Sequence, residues 1–263
     1  MLALVSGRGN LPARIAEALP ERPLMCVLQG FEPEGVAPDI LFRLEHLGTL
    51  LADLEARGVR EVCFCGGIER PPIDPGALDA ATLPLVPVIM KAIAAGDDGA
   101  LRGVIGIFEE RGFKVRAAHE LSPDLLVPEG VLSVAQPDDQ MTSDMARGSE
   151  VLAALAPLDV GQGCVVGKGQ VWGIETLGGT DHMLKTLPGG AAQARAILIK
   201  GPKEGQDRRF DLPTIGPETI GVLAEAGLAG VVVEAGGVLM LEREATVAAA
   251  DAAGLVLWAR APG

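Results

Sequence analysis

The chain has no tyrosine, two tryptophans and six phenylalanines in 263 residues. So few aromatic faces disfavour a stacking platform for single-stranded bases. Basic residues are also short, with 22 Lys and Arg against 35 Asp and Glu and a formal charge of −13. No long basic stripe occurs, which argues against a nucleic-acid partner gripped by charge alone. A small phosphorylated ligand stays compatible, since it needs only a few local cations and backbone donors. Uncharged apolar runs fall short of the ~20 residues that a spanning helix needs. The opening Met1-Leu-Ala-Leu-Val-Ser-Gly is too short and lacks the basic leader of a signal peptide. Cysteine is scarce, and Cys26, Cys63, Cys65 and Cys164 form no C-x-x-C pair and no zinc set. They read as buried free thiols in a reducing cytoplasm. The G-x-S-x-G, H-E-x-x-H and Walker A patterns are missing too, so nucleophile-elbow hydrolases, zinc proteases and P-loop NTPases fall away.

What is present is apolar: 48% of residues, with a mean hydropathy of +0.32, enough for a sizeable core rather than disorder. Short β-rich runs at 2–6, 24–28, 62–65 and 113–117 alternate with helical spacing at 11–19, 46–57 and 100–111. Parallel neighbours need a crossover between them, so this order predicts a parallel sheet in an α/β fold. Around 121–140 the pattern dissolves at Pro123, Pro128 and Pro137. The domain boundary is placed there, giving domains over 1–132 and 133–263. The second half resumes with a helix at 144–155, a hairpin turned at Gly167-Lys-Gly and a helix from Thr180. A strand at 196–200, a helix at 217–226 and strands at 230–234 and 255–259 around an Ala-rich helix complete it.

Four loops could carry chemistry. Gly7-Arg-Gly-Asn-Leu-Pro follows the first strand and opens a helix. It suits a nucleotide or sugar-phosphate contact, or a tight turn alone. A dinucleotide fingerprint would want a third glycine where Leu11-Pro12-Ala13 stands. Gly66-Gly-Ile-Glu-Arg-Pro ends the third strand, and Arg70 there is either a phosphate fork or a solvated loop arginine. Asp97 and Asp98 either cap a helix or contribute to a hard-cation site. The densest segment runs from Lys200 to Pro217. It holds Lys200, Lys203, Arg208 and Arg209 with Asp207 and Asp211 between glycines and prolines. Such a mixture suits an anionic phosphate bound with a divalent metal, or a solvated loop of internal ion pairs. Asp159-Val-Gly-Gln and Gly178-Gly-Thr-Asp are shorter supports for the first alternative.

Taken in order, these segments resemble the LpxI family, the UDP-2,3-diacylglucosamine pyrophosphatases of lipid A biosynthesis. The most specific is Arg209-Phe-Asp-Leu-Pro-Thr-Ile-Gly-Pro-Glu-Thr, with Gly179-Thr-Asp and Val160-Gly-Gln before it. The resemblance implies two α/β domains, the first Rossmann-like, with the substrate held between them. It implies hydrolysis of the substrate's diphosphate to UMP and 2,3-diacylglucosamine 1-phosphate (lipid X), with Mg²⁺, or Mn²⁺ in its place. The family's catalytic aspartate falls on Asp211, with Lys200 and Arg209 beside it in the catalytic set. Gly7, Gly9, Asn10, Leu11, Gly66, Gly67, Arg70, Gln162, Gly179, Thr180, Lys203 and Thr214 are the expected substrate contacts. Asp211, Asp181 and Asp98 are the expected metal carboxylates. The expected partner is a lipid-linked nucleotide sugar, with no nucleic acid. The enzyme is expected to be cytoplasmic, visiting the inner face of the inner membrane, with a homodimer as the default assembly. An NAD(P)-linked oxidoreductase and a non-catalytic UDP-sugar-binding protein are the competing readings.

Overall fold

The computed structural model describes residues 1–68, 73–94, 97–203, 205–210 and 212–262, with the side chains of 93, 94, 97 and 98 left out. The chain forms two compact units, 1–123 with Arg209 and Phe210, and 124–208 with 212–262.

The first unit contains β1 (Leu2–Ser6), α1 (Leu11–Ala18), β2 (Leu24–Leu28), β3 (Ile40–Phe42), α2 (Leu47–Ala56) and β4 (Glu61–Cys65). It continues with α3 (Val86–Ala94), α4 (Asp97–Glu110), β5 (Lys114–Arg116) and α5 (Ala118–Leu121). Its five strands are all parallel in the order β3-β2-β1-β4-β5. That is the doubly wound arrangement, with the direction of winding reversing at β1. The inner strands β1, β2 and β4 are largely apolar and buried, as the middle of a parallel sheet requires, while the edge strands β3 and β5 expose Leu41 and Lys114. In α2, Leu47, Leu50, Leu51 and Leu54 recur at helical spacing and are buried. The helix ends at Gly58, whose φ of +74° admits the cap bonds Val59 N–H to Leu54 O and Gly58 N–H to Glu55 O, each 3.0 Å. This turn delivers Val59 into the core immediately before β4.

The sequence reading did not foresee β3 or α3. Three residues at a sheet edge carry too little pattern. In α3 the sequence Val-Pro-Val-Ile-Met-Lys-Ala-Ile-Ala has Lys91 as its one polar residue, too little to mark a polar side against the apolar one. The segment leading to α3 is anchored by Glu45, 3% exposed. Its carboxylate accepts from Arg43 Nη2 at 3.0 Å and Nε at 3.2 Å, and from Asp74 N–H at 2.8 Å. The Arg43 guanidinium, helped by that backbone donor, pulls the Glu45 carboxyl down from 4.5 to about 2. A carboxyl more acidic in the folded state contributes its stability fully above its unfolded value and loses it as pH falls through the folded one. Glu45→Gln should therefore cost about 1–2 kcal/mol at neutral pH. It should also flatten the loss of stability between pH 4.5 and about 2. Urea melts across that window check this; a wild-type acid slope in the variant would mean that the pairing contributes nothing.

The second unit contains β6 (Gly130–Val131), α6 (Asp139–Leu155), β7 (Gly163–Gly167), β8 (Gln170–Ile174), α7 (Gly179–Lys185), α8 (Gly190–Gln193) and β9 (Ile197–Lys200). β10 (Thr214–Ile215), α9 (Pro217–Glu225), β11 (Gly230–Glu234), β12 (Leu239–Met240), α10 (Arg243–Ala253) and β13 (Val256–Arg260) follow. Six strands run in the order β6-β13-β11-β9-β7-β8, with β9, β11 and β13 parallel and β6, β7 and β8 joining antiparallel. β10 and β12 form a separate parallel pair.

Alternation along the strands splits the core into two layers. Val165, Leu198, Val231, Val233 and Leu257 meet residues of α7, α9 and α10. Cys164, Val166, Ile197, Ile199, Val232 and Val256 meet α6. Gly148 lets α6 approach closely, since a Cβ there would sit 2.6 Å from Ile199 Cδ1. The predicted hairpin turns on Lys168 and Gly169, both with positive φ. Buried Asp144 of α6 accepts from both turn N–H groups, at 3.0 and 2.7 Å. The stretch 124–131, read from sequence as irregular, packs with this unit: Val127 enters its core and β6 pairs with β13.

Candidate functional site

In the first unit the loops after β1 and β4 lie side by side at the carboxyl edge, where the winding reverses. Open α/β sheets bind ligands at such a point. Gly7 N–H donates to Cys65 O at 3.0 Å, and Arg8 and Gly67 exchange backbone hydrogen bonds at 2.9 and 3.0 Å. This approach demands glycine. A Cβ on Gly7 would meet Gly67 O at 2.3 Å, and one on Gly66, at φ +86°, would meet Gly7 O at 2.6 Å. Gly9 adopts φ +90°, and the chain then turns through Asn10 into α1 with Leu11 as its first residue. Gly7, Gly9, Asn10, Leu11, Gly66 and Gly67 are thus brought together. Arg8, which sequence reasoning passed over, donates to Gly30 O at 2.9 Å and lies 4.8 Å from the Phe31 ring centroid. Arg70 lies outside the described residues.

In the second unit, polar side chains gather where β9, β11 and β13 end and β7 begins. Lys200 closes β9 and is 8% exposed. Its ammonium donates to Thr180 Oγ1 at 2.5 Å and stands 3.9 Å from Glu175 Oε2. The antiparallel register sets this up: Gly163 faces Lys200, and Gly163 O accepts from Glu175 N–H at 2.9 Å. A Cβ at Gly163 would approach Glu175 Oε2 to 2.7 Å, and one at Gly161 would strike Glu175 O. The two glycines make room for a buried acid that no motif announced. Among the described residues Glu175 Oε2 accepts no hydrogen bond, and the Lys200 charge faces it at 3.9 Å. Gln162 O accepts from Gly201 N–H at 3.0 Å, fixing that residue beside the end of β9.

The other cations of the Lys200–Pro217 segment are engaged differently. Lys203 pairs with Asp159. Arg208 donates to Glu234 Oε1 at 2.9 Å, and Arg260 reaches Glu234 Oε2 at 3.7 Å. Arg209 groups with the first unit, where Nη1 donates to Glu109 Oε1 at 2.5 Å and Phe210 is buried in the core. Thr214 lies on β10, with its hydroxyl 3.4 Å from Leu212 O. Gly179 begins α7, and Asp181 is exposed in its first turn. Asp211 and the side chain of Asp98 lie outside the described residues. Glu175, Glu234 and Arg260 were missed because their roles come from strand register. A lone acid after a strand carries no sequence signal.

All four cysteines are buried free thiols. Burial pushes Cys26 and Cys164 up to about 12, which removes them as nucleophiles.

Comparison with known proteins agrees with these two units. Residues 1–125 match the family described as the LpxI N-terminal domain, and residues 128–258 match the LpxI C-terminal domain. The chain is 36% identical over 266 residues to "UDP-2,3-diacylglucosamine pyrophosphatase LpxI" of Caulobacter vibrioides, covering 97% of this chain and 95% of that protein. With both domains matched and a relative 36% identical along nearly the whole chain, the chain belongs to the LpxI family.

Proposed function

We propose that this chain is the hydrolase that cleaves the diphosphate of UDP-2,3-diacylglucosamine, giving UMP and 2,3-diacylglucosamine 1-phosphate for lipid A. The observation that carries the reading is similarity to a pyrophosphatase of that name along nearly the whole chain. Water adds to one phosphorus, the bridging P–O bond breaks, and the bridging oxygen leaves on the other phosphate.

The glycine loops at Gly7, Gly9 and Gly66-Gly67 would hold the nucleotide end, with Asn10, Leu11 and Arg70. Lys200 is the cation best placed for a phosphoryl oxygen. An ammonium has three donors, and its closest protein acceptor is one hydroxyl. Lys203 and Arg209 each hold a carboxylate that an incoming phosphate would displace or share. Thr180, Gln162, Gly179 and Thr214 would contact phosphate or sugar. Asp211 is the proposed centre of the reaction, positioning the attacking water or holding the metal.

For Mg²⁺ the described donors alone do not make a site. The gathered carboxylates are already paired with cations, and among the described residues no three His, Cys, Asp or Glu converge. The proposed metal dependence therefore rests on Asp211, with Asp181 and Asp98 behind it. A bound divalent ion would neutralise phosphoryl charge.

The test is UMP release from UDP-2,3-diacylglucosamine and from unacylated UDP-N-acetylglucosamine, with chelator and then with Mg²⁺ restored. Acyl-dependent, Mg²⁺-restored release that Asp211→Asn lowers at least about a thousandfold is expected. Equal cleavage of both substrates would remove the lipid from the reading. Undiminished turnover in chelator would remove the metal. The proposed attack is on the lipid-side phosphorus, which in labelled water puts the label in the sugar phosphate; label in UMP alone would overturn it.

A further inference from the structure

We propose that the exposed apolar face formed by Leu83, Pro84, Pro87, Val88 and Met90, with Lys91, docks on an anionic phospholipid bilayer. The inference rests on the reading that the substrate carries acyl chains.

From Ala80 to Gly96 the sequence holds one charged residue, Lys91, in a chain whose formal charge is −13. The described inner side of this segment is satisfied: Leu85 and Ile89 pack on the first core, and Ala92 is buried against Gly103 of α4. The outer side is apolar as well. Leu83 is 56% exposed, Val88 43% and Met90 58%. Pro87 with Met90 and Val88 with Lys91 are three residues apart on the exposed side of α3, and Leu83 and Pro84 are exposed on the 3-10 turn that leads into it. A helix apolar on both sides ordinarily belongs in a core or a bilayer, and contiguous exposed patches mark interaction sites. Lys91 selects an acidic partner surface: its charge is attracted by anionic headgroups, which the acidic remainder of the molecule would repel.

Position supports a lipid occupant. The segment's root is pinned to the start of α2, with Gly48 N–H donating to Thr82 Oγ1 at 2.8 Å and Thr49 Oγ1 to Asp79 Oδ2 at 2.5 Å. α2 starts at the carboxyl edge of the sheet, the edge that carries the glycine loops. Ile68, 45% exposed, follows Gly66-Gly67 on that edge. A bilayer on this face would lie beside the loops proposed to hold the nucleotide sugar. Among the described residues no helix is long and apolar enough to cross a membrane, so the contact is interfacial.

Flotation of the full-length protein with phosphatidylcholine vesicles, with and without phosphatidylglycerol, tests this. The protein should float with both and better with the anionic vesicles. Val88→Glu/Met90→Glu should lower the bound fraction about tenfold or more. Lys91→Glu should lower it about fivefold or more on anionic vesicles only. These positions are exposed, so unchanged thermal melts are expected and exclude misfolding as the cause. Equal flotation of the double variant and the wild type would overturn the proposal, as would no flotation of the wild type. So would a dimer that the double variant dissociates without changing vesicle binding, because the occupant would then be a second copy. The assay uses no substrate, so a failure to hydrolyse the proposed substrate leaves its outcome intact. Conversely, hydrolysis in detergent solution that survives a loss of flotation separates the surface from the chemistry.

Discussion

Lys200→Met is expected to lower turnover of UDP-2,3-diacylglucosamine at least about a thousandfold, the scale of losing one preorganised charge at a phosphoryl group. The side chain is buried, oriented by the Thr180 hydroxyl at 2.5 Å and faced by Glu175 at 3.9 Å. Under the proposed function it would meet a phosphoryl oxygen without the reorganisation that a solvated lysine requires. Removing the ammonium also leaves the Glu175 carboxylate buried without its cation, which costs about 3 kcal/mol in comparable sites. The two effects separate in the double variant Lys200→Met/Glu175→Leu. Stability should return towards wild type, because no uncompensated charge remains, while activity stays lost. Recovery of activity with stability would show that Lys200 serves the fold alone.

Neighbouring glycines should behave in opposite ways. Gly66→Ala is expected to destabilise the first unit by about 3 kcal/mol or more, since a left-handed backbone and a clash with main-chain oxygens add together. The new Cβ would stand 2.6 Å from Gly7 O and 2.8 Å from Arg8 O, both backbone atoms that cannot rotate away. The bonds joining the two loops would be strained, and UDP affinity should fall about tenfold or more with them. Among the described residues nothing lies within 4 Å of the Cβ that Gly67→Ala would add, and Gly67 lacks a positive φ. The substitution should be almost silent in thermal melts. Equal effects at the two positions would show that the close loop approach is not what the site requires.

Much of the architecture was legible before the structure. The buried strand runs, the Gly7 and Gly66 loops and the hairpin turned at Lys168-Gly169 all appear where the pattern places them. Legibility stopped where pattern is local and structure is not. β6, β10 and β12 have two residues each, so neighbours from elsewhere in the chain define them. α3 escaped because helical periodicity is visible only when one side is distinctly polar, and Lys91 is its one polar residue. The cations at Lys200, Lys203, Arg208 and Arg209 read as one cluster along the chain. In three dimensions they have separate partners: Glu175 and Thr180, Asp159, Glu234, and Glu109.

The sequence by itself determined the alternation of strands and helices, the glycines at two strand ends and a mixed-charge loop in an acidic chain. These are properties of neighbours a few residues apart, governed by backbone freedom and hydrophobic period. Only the tertiary structure decided which lysine is buried beside a hydroxyl and a carboxylate. Charge neutralisation depends on partners 20 to 100 residues away, and strand register and burial, rather than spacing, bring those partners within reach.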